Sequence, residues 1–150
     1  MWNSNTNFIS MHSPRTYGTR WCPRKERAKP FFGSVIRSTF KAGDALEYVG
    51  PGNDGDETVH VYGTLLAYEP HQTLSFIEHP GPSYFPNHAE LESRVTFTLE
   101  TVGQCTKLTL VNDQWSANHP SYPNAQSHWW MILSNIKTFT ETGRTLDFGW

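Results

Sequence analysis

The side chains whose types suit proton transfer are Glu78, Asp113, His60 and His128, provided a fold gathers them over one surface. A carboxylate held in an apolar pocket has its pKa raised and can act as a base near neutral pH. Nothing in the spacing of these four singles out such a role. There is no G-x-S-x-G elbow, no phosphate-binding glycine loop and no cysteine with an obvious histidine partner. Glu78 and Asp113 are therefore expected at a salt-linked surface, no residue is assigned as catalytic, and the chain leans away from being an enzyme. The seven histidines, His12, His60, His71, His79, His88, His119 and His128, form no H-E-x-x-H motif, and neither Cys22 nor Cys105 has zinc-type spacing to a histidine. In PGNDGDE the acids Asp54, Asp56 and Glu57 lack the ligand spacing of a calcium loop and read as a solvated turn. No metal and no cofactor is expected.

The stronger signal is apolar, and it lies in the elements that would have to position those groups. From His128 the chain reads HWWMILSNIKTFTETGRTL. Trp129, Ile132, Leu133, Ile136 and Phe139 recur at helical spacing and form one stripe. Asn124 or Ser127 suits the N-cap, and Gly143 suits the left-handed residue after the last turn. The adjacent Trp129 and Trp130 point about 100° apart on such a helix, so one packs inward while the other borders an opening. Upstream, SVIRSTF, DALEYVG, TVHVYGTLLAYEP, TLSFIEH, SRVTFTLE and TKLTLVNDQW alternate between apolar and polar residues, with turn signals between them. Val59, Val61 and Leu65 face one way; Leu74 with Phe76, Val95 with Phe97 and Leu99, and Leu108 with Leu110 repeat the pattern. The period of two predicts an antiparallel meander with one buried face. PGPSYFPNHAELE, with three prolines, is a long polar loop. The apolar face of the sheet needs a cover, and the C-terminal helix is the candidate in the second half.

Bulk properties agree with a folded chain. The 150 residues suit one domain, and a 37% apolar and 17% charged composition excludes disorder. No apolar run approaches the roughly 18 residues of a membrane span. MWNSNTNFIS has no secretory pattern, and two cysteines make no disulfide framework, so the expected location is cytoplasmic. The net charge of -2 is uneven: Arg15, Arg20, Arg24, Lys25, Arg27 and Lys29 crowd one stretch against the single acid Glu26. A basic run can mean nucleic acid or an anionic membrane. This one has no recognisable binding fold or aromatic platform, and neither partner is expected.

SRVTFTLETVG and TKLTLVNDQW, followed by WWMILSNIKTFTETGRTL, resemble the activator of heat shock protein 90 ATPase homologue-like (AHSA-type) members of the START-related SRPBCC superfamily. YGTLLAYEPHQTLSFIEH is similar to that family's strand, Glu-Pro turn and strand, and FFGSVIRSTFKAGDALEYVG to its early hairpin. The resemblance runs from about Phe31 to Leu146. It implies an α+β helix-grip fold, a curved antiparallel sheet around a long C-terminal helix with a hydrophobic cavity between them. It also implies a proline-led helical unit near the N-terminus, where this chain has SPRTYGTRWCPRKERAKP. Pro14, Gly18 and Pro23 oppose a helix there. Regrouping the codons for Pro14 to Lys29, the third base of each with the first two of the next, allows with suitable synonymous choices a peptide of the family's type, PENVWHALVSPERASK. Residues 14–29 therefore read as a frameshifted or scrambled helical unit, and 13–30 as an irregular basic segment within a single domain.

In such a fold the inward strand face lines the cavity. The implied lining is Tyr62, Phe76, Phe97, Trp115, Trp129, Trp130, Leu133 and Ile136. The function expected is a small-molecule binding module for an apolar ligand. Two alternatives are a cyclase- or hydrolase-type enzyme with an acid–base residue at the cavity mouth and a co-chaperone that stimulates a chaperone ATPase. The last is implied only by the resemblance.

Overall fold

Period-two alternation becomes seven antiparallel strands in the structure, a computed structural model that describes residues 5–12 and 34–148. The strands are β1 (Asn5–His12), β2 (Val35–Ser38), β3 (Ala45–Pro51), β4 (Glu57–Glu69), β5 (Thr73–Pro80), β6 (Ser93–Val102) and β7 (Cys105–Asp113). A single 3-10 turn, His88–Glu90, interrupts the proline-rich loop. One helix, α1 (Tyr122–Thr142), follows the sheet. The sheet order is β1-β7-β6-β5-β4-β3-β2, so every neighbour from β2 to β7 is a neighbour in sequence and β1 closes the edge beside β7. This is the helix-grip arrangement. The basic segment 13–30, and with it the expected frameshifted unit at 14–29, lies outside the described residues.

The inward face carries Leu46, Tyr48, Leu65, Leu74, Phe76, Val95, Phe97, Leu99, Leu108 and Leu110, closed by Trp129, Leu133 and Ile136 of α1. Two bulges break the alternation of β4. Val49 pairs with Val59 and Tyr48 with Val61, which leaves His60 as the extra residue. Leu65 pairs with Phe76 and Ala67 with Ser75, which leaves Leu66. A bulge bends its strand and re-aims the side chain it carries. Next to the first bulge, Gly63 lies so close to β5 that an added Cβ would sit 1.7 Å from the Ile77 carbonyl oxygen, an approach that only glycine allows.

Helix α1 starts earlier than the expected caps. Ser121 is the N-cap and Pro123 occupies the first turn, where its missing N–H leaves no hydrogen bond unmade. Asn124 and Ser127 are already helical; the Ser127 hydroxyl donates to the Asn124 carbonyl at 2.9 Å. Gly143 ends the helix at φ 73°, its N–H donating to the Phe139 carbonyl at 2.8 Å, as its sequence position predicts.

Candidate functional site

The strand parity that buries Leu74 and Phe76 also turns Glu78 inward. On β6 the parity of Val95 and Phe97 does the same for Ser93, and on β7 that of Leu108 and Leu110 does so for Asn112. Three polar residues therefore meet at one end of an otherwise apolar face. They are joined in a chain. The Ser93 hydroxyl donates to Glu78 Oε1 at 3.1 Å, and Asn112 Nδ2 donates to Ser93 Oγ at 3.0 Å. Asn112 Nδ2 also reaches the Arg94 carbonyl at 3.0 Å, and Asn112 Oδ1 accepts from Trp129 Nε1 at 3.0 Å. The indole N–H of Trp115 donates to the Asn112 carbonyl at 3.2 Å. Ser93 and Asn112 are buried at 1% exposure each, so the chain latches β5, β6, β7 and α1 through groups whose loss would leave orphans in the interior.

Beside this latch lies a cavity of about 510 Å³ between the sheet and the N-terminal half of α1. Its apolar wall includes Tyr48, Val61, Trp115, Trp129 and Ile132. Glu78 borders it. That residue is half-buried by surface area yet sits deep in the protein's volume, because what surface it keeps opens onto the cavity. Burial pushes its carboxyl up to about 7 against the weaker opposing pull of the Ser93 hydrogen bond. Burial, and secondly the nearby Glu78, holds the Tyr48 hydroxyl well above its usual value. His60, His79, His119 and His128 also border the cavity. His60 arrives there as the bulged residue of β4; its Nε2 donates to the Pro51 carbonyl at 3.1 Å, so its Nδ1 accepts from the Tyr84 hydroxyl. His119 is buried against Trp115 at 4.8 Å between ring centroids, and burial, then the charge of His79, lowers its pKa.

Of the expected lining residues, Trp115 and Trp129 stand at the cavity. Phe76, Phe97, Leu133 and Ile136 are packed in the core beside it, because the C-terminal half of α1 sits directly on the sheet. Tyr62 has the opposite strand parity: it stacks on His79 at 5.0 Å and bonds His88 Nδ1 at 2.7 Å. Trp130 is 52% exposed and meets the ring of Phe148 edge-on at 5.9 Å. Among the acid–base candidates, Glu78, His60 and His128 border the same cavity, and the expected surface position of Glu78 is corrected by its depth. Asp113 instead forms a two-pronged pair with Arg94, at 2.8 and 2.7 Å, outside the cavity. Tyr48, Ser93, Asn112 and Ile132 were not among the expected site residues; strand parity marks the first three. Chemically the site can exchange a proton near neutral pH and hold an apolar body. Among the described residues no group of three or more metal-ligating side chains is assembled.

A family model described as Activator of Hsp90 ATPase homolog 1-like protein matches residues 15–141. No curated protein sequence matches the chain. Solved structures similar to it include a protein of Cytophaga hutchinsonii, at 19% identity and TM-score 0.69 over 95% of this chain and 97% of that one. The Aha1 dimer from Colwellia psychrerythraea is similar at 15% identity and TM-score 0.67, over 95% and 99% of the two chains. An HSP90 activator from Plasmodium falciparum is similar at 15% identity and TM-score 0.64, over 91% and 96%. At these identities the likeness is one of fold.

Proposed function

The chain belongs to the Activator of Hsp90 ATPase homolog 1-like protein family, and from that premise we propose that it is a small-molecule binding module whose apolar ligand lies between the sheet and α1. The cavity of about 510 Å³ carries this reading. Its size falls within the range of small-ligand sites, and its wall combines aromatic and aliphatic side chains with polar groups able to orient a ligand. Trp115 and Trp129 would grip the ligand from two sides; Phe76, Phe97, Leu133 and Ile136 would support the wall from behind. No covalent step is needed for such a role. We place the protein in the cytoplasm on the same reading.

The test is a thermal-shift screen with lipids, flavonoids and polyketide-like aromatics, since a ligand selective for the folded state raises the melting temperature. Ile132→Trp, which puts bulk into the cavity, should abolish the shift. No stabilising ligand, or equal shifts in the filled variant, would overturn the reading. A second reading, stimulation of a chaperone ATPase, is favoured by the family description and by the likeness to the Plasmodium falciparum activator. A coupled ATPase assay with a chaperone of the Hsp90 class decides it; an unchanged rate removes it.

A further inference from the structure

We infer that the cavity selects a hydrophobic cation, an ammonium or amidinium group carried on an aromatic or aliphatic body, with Glu78 as the pairing carboxylate. The inference rests on the binding reading above and deepens it. Among the described residues Ser93 is the one hydrogen-bond partner of Glu78, and no lysine or arginine faces it. Ser93 is already committed to Asn112, which is committed to Trp129. The latch thus holds Glu78 Oε1 in place and leaves the rest of the carboxylate directed at the cavity. A carboxylate placed deep in an apolar site without a counter-charge is costly, and a bound cation would remove that cost.

The surroundings point the same way. The described cavity lining contains no lysine or arginine, and its one carboxylate gives it negative potential whenever that group is ionised. An anionic ligand, such as a fatty acid, would meet Glu78 as a like charge. Tyr48, Tyr84, Trp115 and Trp129 present aromatic rings at the cavity, and ring faces attract cations most where water is excluded. The described groups around Glu78 that titrate or carry charge are Tyr48 on β3, His60 on β4, His79 on its own strand, Tyr84 in the proline-rich loop, His119 ahead of α1 and His128 on it. Imidazoles gain positive charge on acidification. They therefore disfavour a cation at low pH, in the same direction as protonation of Glu78.

The experiment compares 1-naphthylmethylamine, 1-naphthylmethanol and 1-naphthoic acid, one apolar body with cationic, neutral and anionic heads, by titration calorimetry from pH 5.5 to 8. The amine should bind at least tenfold more tightly than the alcohol at pH 8, its advantage should shrink as pH falls to 5.5, and the acid should bind weakest. Binding of the amine at pH 7 should release protons, seen as a heat that depends on the ionisation enthalpy of the buffer. Glu78→Gln should cut amine affinity at least tenfold and narrow the amine's advantage over the alcohol, with cooperative urea unfolding showing that the variant is folded; most of the pH slope should go with it. Equal binding of amine and alcohol would overturn the cation inference and leave the cavity reading standing. No binding by any of the three would overturn both. Tighter amine binding at low pH than at high, or Glu78→Gln binding the amine as well as the parent, would refute the role of Glu78.

Discussion

Glu78 makes the stability of the free protein depend on pH in a calculable way. Burial raises its carboxyl from 4.5 to about 7. Below 4.5 the group is protonated in folded and unfolded chains alike and adds no bias. Between those values the unfolded chain gives up the proton while the folded one keeps it, so stability falls as pH rises. Above about 7 both states are ionised and the loss is complete. At about 1.4 kcal/mol per pKa unit, the difference between the acid and alkaline limits is about 3 kcal/mol. Glu78→Gln keeps an oxygen for the Ser93 hydroxyl and removes the ionisation. It should match the parent near pH 4.5 and exceed it at pH 8 by up to about 3 kcal/mol, or roughly 6–12 °C in melting temperature for a chain of this size. Urea unfolding followed by tryptophan fluorescence at a series of pH values measures both proteins. Other titrating groups cancel in the difference between them. A difference that stays flat across pH, or a variant less stable than the parent at pH 8, would refute the placement of Glu78 in an apolar interior.

Further perturbations test the elements around it. Asn112→Leu removes the centre of the latch, leaving Trp129 Nε1 without its acceptor and Ser93 Oγ without its donor, and should cost about 2–4 kcal/mol in urea unfolding; a loss under about 1 kcal/mol would mean the latch is slack. Trp129→Phe keeps a ring against Phe97 but withdraws the donor from Asn112 Oδ1, with an expected loss of about 1–2 kcal/mol, whereas Trp130→Ala at its exposed position should cost under about 1 kcal/mol and leave ligand affinity unchanged. Gly63→Ala forces a Cβ against the Ile77 carbonyl and should destabilise by at least about 2 kcal/mol; near-neutral stability would show that β4 and β5 can part there without loss.

Much of this architecture was legible because period two and period 3.6 are hard to confuse over long runs. SRVTFTLE alternates cleanly and became β6, TVHVYGTLLAYEP alternates between its two bulges and became β4, and the stripe from Trp129 to Ile136 became the buried side of α1. Strand β1 was not legible: NTNFISMH has only Phe8, Ile9 and Met11 as apolar residues and no alternation, and its place is fixed by pairing with β7. The bulges at His60 and Leu66 were not legible either, since an extra residue shows only once the partner strand is known. The start of α1 was misjudged because Ser121 precedes a proline that reads as loop until it is seen as a first-turn residue.

The site was partly legible, and its error is instructive. TLSFIEH places Glu78 on the parity of Leu74 and Phe76, so the same alternation that predicted the strand also predicted a buried carboxyl. Residue type argued for the surface and position argued for the interior; position won. Ser93 and Asn112 repeat the conflict on the next two strands, at the same end of the sheet. A polar residue on an inward parity is uncommon, and three on successive strands must be satisfied together or not at all. Ser93 and Asn112 satisfy one another and Trp129, and so serve as structure. Among the described residues Glu78 gains one hydrogen bond and remains costly to ionise, and a glutamine there would be more stable at neutral pH. A group that destabilises the empty fold while bordering a cavity suits a binding site, because the counter-charge it lacks among the described residues is one that a guest can bring.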